Sequence, residues 1–349
     1  MPWNRLTIFA LLLAAAVSAS QPASQISPLH KQKYVMGTIF EIVAYDTRVE
    51  LASKTLEEAL EEIVRLDHVM SNYDPQSELS RLNHSAHFRP QSVSRDLFRV
   101  IEQSLQYSEL SNGKFDITVG PLVDLWKAQL SGDRPVTAAD ERKARNCVGF
   151  RKILLIPPSR IEFRSSCLRL DLGAIGKGYA VDRAAEILRT RGIQSAIINA
   201  GGSTLYAIGA PPGRSGWMVR LRDPSGLVNP EVTLKDDSVS TSEQTAKSLL
   251  TPSSAGHIID PRKGEPITNS GAVSVLARTA TDSDALSTTL LLLGPGEGKR
   301  LIAKTENAAA IWISQHGEVE RVSNGAAISI SSGTGRESDA ITTGRSSAR

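Results

Sequence analysis

The spacing of apolar side chains predicts helices in the first third of the chain. The segment TLEEALEEIVRLDHVM carries large apolar residues three or four positions apart, which places them on one face of a core helix. These residues are Leu56, Leu60, Ile63 and Leu66. Thr55 and Glu58 have the spacing of a capping box at its start. A strand is expected before it, over 37–45, and a second helix over 94–111.

A change from strand pattern to helix pattern marks the middle of the chain, LDLGAIGKGYAVDRAAEILRTRGIQSAIINAGG. An apolar strand ends at Asp171, and a helix then extends to about Arg191, where Gly192 stops it. The strand SAIIN follows and ends in a glycine pair. Strands and helices alternate, and hairpin-like pairs occur after Gly201. This order predicts an α+β (mixed α/β) fold with a mixed β-sheet core and flanking helices.

Glycines and a lysine coincide where this helix begins, at Gly173, Gly176, Lys177 and Gly178. Glycine permits close backbone approach, the first helical turn presents unpaired N–H groups, and lysine adds positive charge. The combination favours a pocket for a phosphorylated ligand. A Walker loop does not fit because Gly178 follows Lys177, and the dinucleotide fingerprint does not fit because Val181 stands where it needs glycine or alanine. The alternative is a glycine-rich turn with a structural role alone.

Two polar groups lie further along the chain. In HIIDPRKGEPI, a strand leads into a turn, and His257 is either a general base or phosphate contact, or a core histidine bonded within its strand. In TATDSDALSTTLLLLG, Asp284, Ser287 and Thr288 share one helix face. A carboxylate with hydroxyls suits a hard cation such as Mg²⁺. Alternatively, Asp284 and Ser287 form a capping pattern.

Composition narrows the classes of function. With 349 residues and 40% hydrophobic content, the chain is long enough for a sizeable core in one large or two moderate domains. Its net charge is only +3, and no basic run with interleaved aromatic residues occurs, so a nucleic-acid surface is not indicated.

The N-terminus has the form of an export signal. The apolar run from Leu6 to Val17 is too short to span a bilayer, and the small residues after it predict cleavage following Ala19. No cysteine precedes Cys147, so no lipid can be attached there. We therefore expect an extracytoplasmic (periplasmic) protein without a stable membrane anchor, with uncleaved anchoring as the alternative.

Four segments are expected along the chain: a signal peptide over 1–19, a linker over 20–32, one domain over 33–322 and a flexible tail rich in Ser, Gly and Thr over 323–349. The two cysteines, Cys147 and Cys167, lie in segments that resemble neighbouring strands. They form either a cross-strand disulfide or two buried thiols. Neither cysteine is accompanied in the sequence by the other ligands of a zinc site.

Eight segments, in register from about Lys33 to Ile313, resemble the FAD:protein FMN transferases of the ApbE type. They are MGTIFEI from Met36, MSNYDPQSELSRLN from Met70, SNGKFDITVGPLVDLW from Ser111, DLGAIGKGYAVD from Asp171, INAGG from Ile198, VSTSE from Val239, HIIDP from His257 and DALSTTLLLLG from Asp284. The resemblance implies a two-lobed shape with the flavin between the lobes.

The resemblance also implies a reaction and its participants. FAD is the substrate, and its FMN half passes to a threonine or serine hydroxyl of an acceptor flavoprotein through a phosphoester, with release of AMP and dependence on Mg²⁺. By family analogy the acceptor is a subunit of a membrane redox complex. Two alternatives remain from the same residues: hydrolysis of FAD to FMN and AMP, and flavin binding without catalysis.

The family motifs imply roles for individual residues. Asp284 and His257 are the implied catalytic residues, and the implied magnesium ligands are the Ala174 carbonyl, Asp284 and Thr288. The implied flavin-binding residues are Met36, Tyr73, Lys114, Phe115, Asp116, Asp171, Lys177 and Ile259. Two positions depart from some relatives, which carry an acid in place of Ser287 and of Lys177. Ser287 leaves the metal with fewer carboxylate ligands than in those relatives, and Lys177 favours contact with a phosphate.

Overall fold

The computed structural model describes residues 27–132, 135–244, 258–267, 271–326 and 341–342. The predicted signal peptide and His257 lie outside the described residues. No helix in the described part of the chain is both long and apolar enough to cross a membrane.

Helices occupy seven segments of the described chain. They are α1 (Val49–Met70), α2 (Glu78–Ser85), α3 (Arg95–Leu110), α4 (Gly120–Ser131), α5 (Ala138–Cys147), α6 (Gly176–Thr190) and α7 (Ala280–Ile302). The predicted second helix is confirmed as α3, and the predicted central helix as α6, with Gly192 at φ 81° just beyond its end. Helix α7 is interrupted at Gly294, which has non-helical dihedral angles.

The strands are β1 (Leu29–Val35), β2 (Thr38–Ala44), β3 (Gln91–Ser92), β4 (Ile153–Ile156), β5 (Arg160–Phe163), β6 (Ala196–Ala200), β7 (Thr204–Ile208), β8 (Trp217–Arg220), β9 (Glu231–Leu234), β10 (Ser238–Gln244), β11 (Ile259–Asp260), β12 (Glu265–Pro266), β13 (Gly271–Ala277), β14 (Ala308–Ser314), β15 (Val319–Asn324) and β16 (Ile341–Thr342).

Eight strands form the central sheet in the order β1-β2-β6-β7-β10-β13-β14-β15. Every neighbouring pair in this sheet is antiparallel, so the core sheet is antiparallel and not mixed; β16 and β8 form the one parallel pair among the described strands. Tight turns explain the direction, because Met36–Gly37 joins β1 to β2 and Gly201–Gly202 joins β6 to β7 with all four residues at positive φ. The predicted α+β class is confirmed, and the two-lobed shape stays a prediction.

Both faces of the sheet are covered. Along β6, Ile198 belongs to the core cluster that includes residues of α1 and α6, whereas its neighbour Ile197 packs in a second cluster with β8 and β9. This alternation follows from the two-residue period of a strand. Helix α7 packs on the first face over β10, β13 and β14. Helices α6 and α7 therefore lie side by side on one face of the sheet.

Helix α1 begins earlier than its large apolar residues predict. Thr55 is a buried interior residue whose Oγ1 donates to the Leu51 carbonyl at 2.8 Å, and Arg48 is the N-cap residue. The capping-box prediction was wrong because the buried stripe continues upstream through Ala52, a small residue that the pattern of large side chains does not show.

Two other expectations are corrected. Ser323 and Asn324 belong to β15, and Ile341–Thr342 pairs with β8, so parts of the predicted flexible tail are strand. Backbone pairing needs no apolar period, which explains the difference. Cys147 and Cys167 form a disulfide, but Cys147 is the last residue of α5 and Cys167 follows β5, so the bridge joins a helix end to a loop and not two strands.

Candidate functional site

The predicted phosphate turn lies between Asp171 and the start of α6. The strand expected before it was wrong, because that segment forms only an isolated bridge between Arg169 and Val119. Asp171 accepts a hydrogen bond from the Gly173 N–H through its Oδ1, at 2.8 Å. The N-cap residue of α6, Ile175, has no side-chain cap. The Gly176 N–H donates to the Leu172 carbonyl at 2.7 Å and the Gly178 N–H to Asp284 Oδ2 at 2.8 Å. Of the first three N–H groups of α6, only that of Lys177 therefore has no acceptor among the described residues and is available to an anion.

Lys177 lies in the first turn of α6. Its Nζ is 3.4 Å from the Gly173 carbonyl, and within the described residues it forms no ion pair. The Lys177 side chain is therefore available to pair with an anionic ligand.

Gly178 is the point where α6 and α7 cross. A Cβ built on Gly178 would stand 2.3 Å from the Ala280 carbonyl oxygen and 2.7 Å from the Asp284 Cβ, distances that only glycine avoids. The Gly178 N–H donates to Asp284 Oδ2 at 2.8 Å. Asp284 is 5% exposed and lies in the second turn of α7, whose N-cap is Thr279. The alternative interpretation of Asp284 as a capping residue was therefore wrong.

This crossing leaves oxygen atoms free that suit a divalent cation. Because the Gly178 N–H turns to Asp284, no described residue donates a hydrogen bond to the Ala174 carbonyl four positions earlier. Asp284 Oδ1 likewise has no hydrogen-bond partner in the described chain. A carbonyl, a carboxylate oxygen and the nearby Thr288 hydroxyl are hard ligands of the kind that Mg²⁺ prefers, so the predicted ligand set fits the structure. In the described ranges, no group of three or more acidic, histidine or cysteine side chains is arranged so that it could hold a metal ion.

Hydroxyl groups connect α7 to β10 beside this point. Ser242 Oγ is 2.7 Å from Ser287 Oγ and 3.0 Å from Thr288 Oγ1. Ser287 also donates to the Asp284 carbonyl at 2.9 Å. Ser287 is thus occupied within the protein, whereas Thr288 remains half-buried at the edge of the group.

Asp182 provides a second contact between α6 and α7. Its carboxylate accepts hydrogen bonds from the Ala280 N–H at 2.7 Å, the Thr281 N–H at 2.8 Å and the Thr281 hydroxyl at 2.5 Å. Burial raises the pKa of Asp182 to about 6, against the lowering effect of these donors.

The segment Lys114–Asp116 lies beside Asp171, since the Asp171 N–H donates to the Ile117 carbonyl at 2.7 Å. Phe115 is 2% exposed and packs edge-on against Tyr107. Asp116 is also buried and accepts from Thr118 and from the Phe150 N–H. Burial raises the pKa of Asp116, and these hydrogen bonds oppose that rise. The Phe115 and Asp116 side chains therefore shape the site from within the core.

Lys114 reaches the hairpin of β11 and β12. Its Nζ donates to Asp260 Oδ2 at 2.7 Å, and both side chains are largely buried. Burial raises the pKa of Asp260, but the Lys114 ammonium and the Arg262 and Lys263 N–H groups lower it more, so the net shift is downward. Ile259 packs beside Leu122 of α4 and Ala144 of α5 in a small separate cluster.

The remaining predicted flavin contacts lie near the end of α1. Tyr73 is 79% exposed, and Lys127 Nζ donates to its hydroxyl at 3.1 Å while standing 4.8 Å from its ring centre. Met36 has φ 52° in the turn between β1 and β2, and its N–H donates to Asp67 of α1 at 3.3 Å. Tyr73 can stack on a planar ring, because its ring is accessible.

One residue ties the Tyr73 loop to the phosphate turn. The Asn83 side chain accepts from the Leu170 N–H at 2.7 Å and donates to the Leu170 carbonyl at 3.0 Å. Asn83 also donates to Asn72 beside Tyr73 at 3.3 Å, so the loop after α1 and the segment before the phosphate turn are adjacent. Asn83, Asp182 and Ser242 were not predicted to contribute. All three lie in the family-like segments, but no local pattern distinguishes a residue that contacts another element from one that faces solvent.

The fold is that of a flavinyl transferase. The structure matches that of Pseudomonas stutzeri flavinyl transferase ApbE in its apo form with a TM-score of 0.72 and 26% identity, covering 87% of this chain and 97% of that one. The match to the flavin transferase ApbE from Vibrio cholerae has a TM-score of 0.71 and 26% identity, covering 85% of this chain and 97% of that one.

Sequence comparison agrees with the structural matches. The profile of the ApbE family matches residues 36–312, and the chain belongs to that family. The FAD:protein FMN transferase of Klebsiella pneumoniae (strain 342) is 29% identical over 320 residues, 88% of this chain and 91% of that protein. That of Vibrio cholerae serotype O1 is 30% identical over 312 residues, 84% of this chain and 89% of that protein. The predicted enzyme class, a transferase, is confirmed.

Proposed function

We propose that this protein transfers FMN from FAD to a threonine or serine hydroxyl of an acceptor flavoprotein, releases AMP and depends on Mg²⁺. The observation that carries the proposal is the crossing at Gly178. It leaves the Ala174 carbonyl and one oxygen of Asp284 unpaired, close to the uncapped start of α6. The names of the relatives support the choice of FAD and of a protein acceptor.

In this reaction the acceptor oxygen bonds to the phosphorus of the FMN half while the bond from that phosphorus to the bridging oxygen breaks. AMP leaves with that oxygen, and the hydroxyl proton passes to a base. Such a transfer depends on positioning and charge neutralisation more than on covalent chemistry by the enzyme. His257 is the candidate base and stays a prediction, since it lies outside the described residues.

The Ala174 carbonyl, Asp284 and Thr288 would hold Mg²⁺, which when bound supplies positive charge at the pyrophosphate. The side chain and the N–H group of Lys177 would contact the phosphates from α6.

The flavin would lie along the remaining residues. Tyr73 offers an exposed ring for stacking, and Met36, Asp171 and Lys114 would line the same space. Phe115, Asp116 and Ile259 would act through the backbone they support, because their side chains are enclosed.

We further propose that the acceptor belongs to a membrane redox complex and that the enzyme works outside the cytoplasmic membrane. The signal-like N-terminus without an early cysteine supports this location. N-terminal sequencing of the protein from fractionated cells tests it. A mature chain that begins near Ser20 in the periplasmic fraction is expected, and an intact Met1 form in the membrane or cytosol would contradict it.

One incubation separates the proposed reaction from its alternatives. Purified protein is mixed with FAD and Mg²⁺, with and without a candidate acceptor, while AMP release and in-gel flavin fluorescence are followed. AMP release that requires the acceptor and yields a fluorescent acceptor band is the expected result. Equal AMP release without acceptor would show a hydrolase, and binding without AMP would show a carrier.

A further inference from the structure

We propose that Asp182 is a positioning residue for the reaction, which holds the first turn of α7 against α6 and so determines where the Asp284 carboxylate stands. The inference rests on the proposed function for the role of Asp284. It adds a residue that contacts neither the proposed metal nor FAD.

Two contacts define the register of α6 against α7. Gly178 bonds to Asp284, and Asp182 bonds to Ala280 and Thr281. Gly178 and Asp182 are one helical turn apart on α6, and their partners Asp284 and Ala280 are one turn apart on α7. The earlier residue of α6 contacts the later residue of α7. The helices are therefore antiparallel at this point. Because Ser242 of β10 already holds α7 at Ser287, the second contact on α6 adds the position of the first turn of α7 relative to α6.

Local capping of α7 does not require Asp182. Thr279 is already the N-cap residue, and its Oγ1 accepts from the Asp282 N–H at 3.1 Å. The Thr279 side chain does not accept from the N–H groups of Ala280 and Thr281. Asp182 accepts hydrogen bonds from both, and it does so from another helix. A carboxylate near a helix N-terminus also interacts favourably with the helix dipole. Asp182 thus serves the arrangement of two helices more than the formation of one.

The consequence is specific to the metal-binding face. Without the Asp182 contact, α7 keeps its own cap but loses one of its two anchors on α6. Asp284 then no longer holds its unpaired oxygen in a fixed relation to the Ala174 carbonyl. Metal affinity should fall, because ligands that are not held in place must be ordered on binding. The phosphate turn itself belongs to α6 and should be unaffected.

The test compares Asp182→Ala with a matched control. Asp223 accepts hydrogen bonds from the Ser225 hydroxyl and from the Ser225, Val228 and Asn229 N–H groups in the loop between β8 and β9. Asp223→Ala therefore removes a similar carboxylate from a place outside the site. FAD binding is measured by flavin fluorescence over a Mg²⁺ titration, without any turnover.

Asp182→Ala is expected to raise the Mg²⁺ concentration for half-saturation by about tenfold or more, as loss of a supporting partner does at metal sites. Its FAD affinity without Mg²⁺ should match that of the unaltered protein, and Asp223→Ala should change neither quantity. Asp182→Asn retains one acceptor oxygen and should recover part of the Mg²⁺ response. It also provides the measurement if Asp182→Ala does not fold.

Equal Mg²⁺ responses in Asp182→Ala and Asp223→Ala would overturn the inference, and so would an unchanged response in Asp182→Asn if that is the variant measured. Weakened FAD binding without Mg²⁺ would show a general structural role instead. Absence of any Mg²⁺ effect in the unaltered protein would contradict the proposed function itself, which keeps the two failures distinct.

Discussion

At the scale of single residues, the glycines at the start of α6 differ in what they require. Gly178 has no room for a side chain, whereas a Cβ on Gly176 would meet Leu172 at 3.8 Å and Met70 at 4.0 Å, which are ordinary contacts. Both glycines look alike in the sequence. Only the position of α7 distinguishes them, so the reason for Gly178 could not be derived from local pattern.

Gly178→Ala is therefore expected to destabilise the protein by about 1 to 3 kcal/mol, the usual cost of overpacking. Urea unfolding measures this free energy. The same substitution at Gly176 is the control and should be neutral or slightly stabilising, because alanine is the better helix former. Similar free energies of unfolding for the two variants would show that α6 and α7 do not meet as described.

Lys177→Ala tests the phosphate contact. If Lys177 donates to the pyrophosphate, its loss should weaken FAD binding by about 1 to 3 kcal/mol, the range for a charge-assisted hydrogen bond. Riboflavin has no phosphate and should bind the variant and the unaltered protein alike. Unchanged FAD affinity in a fluorescence titration would rule out this role.

Asp182 should also make stability depend on pH. Its pKa is about 6 in the folded protein, above the ordinary value of about 3.9 that applies to the unfolded chain. A raised folded pKa means that the contribution is complete below about pH 4 and is lost as pH rises to about 6 and beyond. The free energy of unfolding of the unaltered protein, minus that of Asp182→Asn, should therefore fall across this window and level off above about pH 7. A difference that stays constant from acidic to neutral pH would show that Asp182 titrates normally.

At the scale of elements, the local sequence pattern predicted which helices and strands exist better than it predicted where they begin and end or what they pack against. Helix α3, helix α6 and strand β6 lie where their apolar periods and glycine stops predict them. The start of α1 was missed by about two turns because small residues continue its buried face. The cysteine partnership was left open, because a bridge between a helix end and a loop leaves no periodic signal in the sequence.

The disulfide gives an element-scale prediction. Cys147 and Cys167 are 20 residues apart and enclose the β4–β5 hairpin. Replacing both by serine should lower the free energy of unfolding by about 3 kcal/mol, since the unfolded chain gains the freedom of an open loop. A reducing agent should lower the stability of the unaltered protein by a similar amount and leave the variant unchanged. If reduction has no effect on either protein, the two thiols are not bonded in solution.

At the scale of the whole molecule, the candidate site is assembled from segments far apart in the chain. Asp171 meets Ile117, Leu170 meets Asn83, Lys114 meets Asp260, and Gly178 meets Asp284. The residue types at each segment could be predicted from the sequence, largely through the family resemblance. The contacts themselves follow from the order of strands and the packing of α6 on α7, which single-segment patterns do not contain. Phe115 and Asp116 show the limit most clearly, because a motif residue can support a site from the core without touching its ligand.

The most direct test of the account is the Mg²⁺-dependent release of AMP from FAD by Asp284→Ala. Asp282→Ala is the matched control, since Asp282 lies on the same helix but accepts a hydrogen bond from Tyr107 of α3 and so faces away from Gly178. Asp284→Ala should fold and lose AMP release and FMN transfer at every Mg²⁺ concentration, whereas Asp282→Ala should retain both. Full AMP release by Asp284→Ala, or release that persists in the presence of a chelator, would contradict the assignment of this carboxylate to the metal and with it the proposed reaction centre.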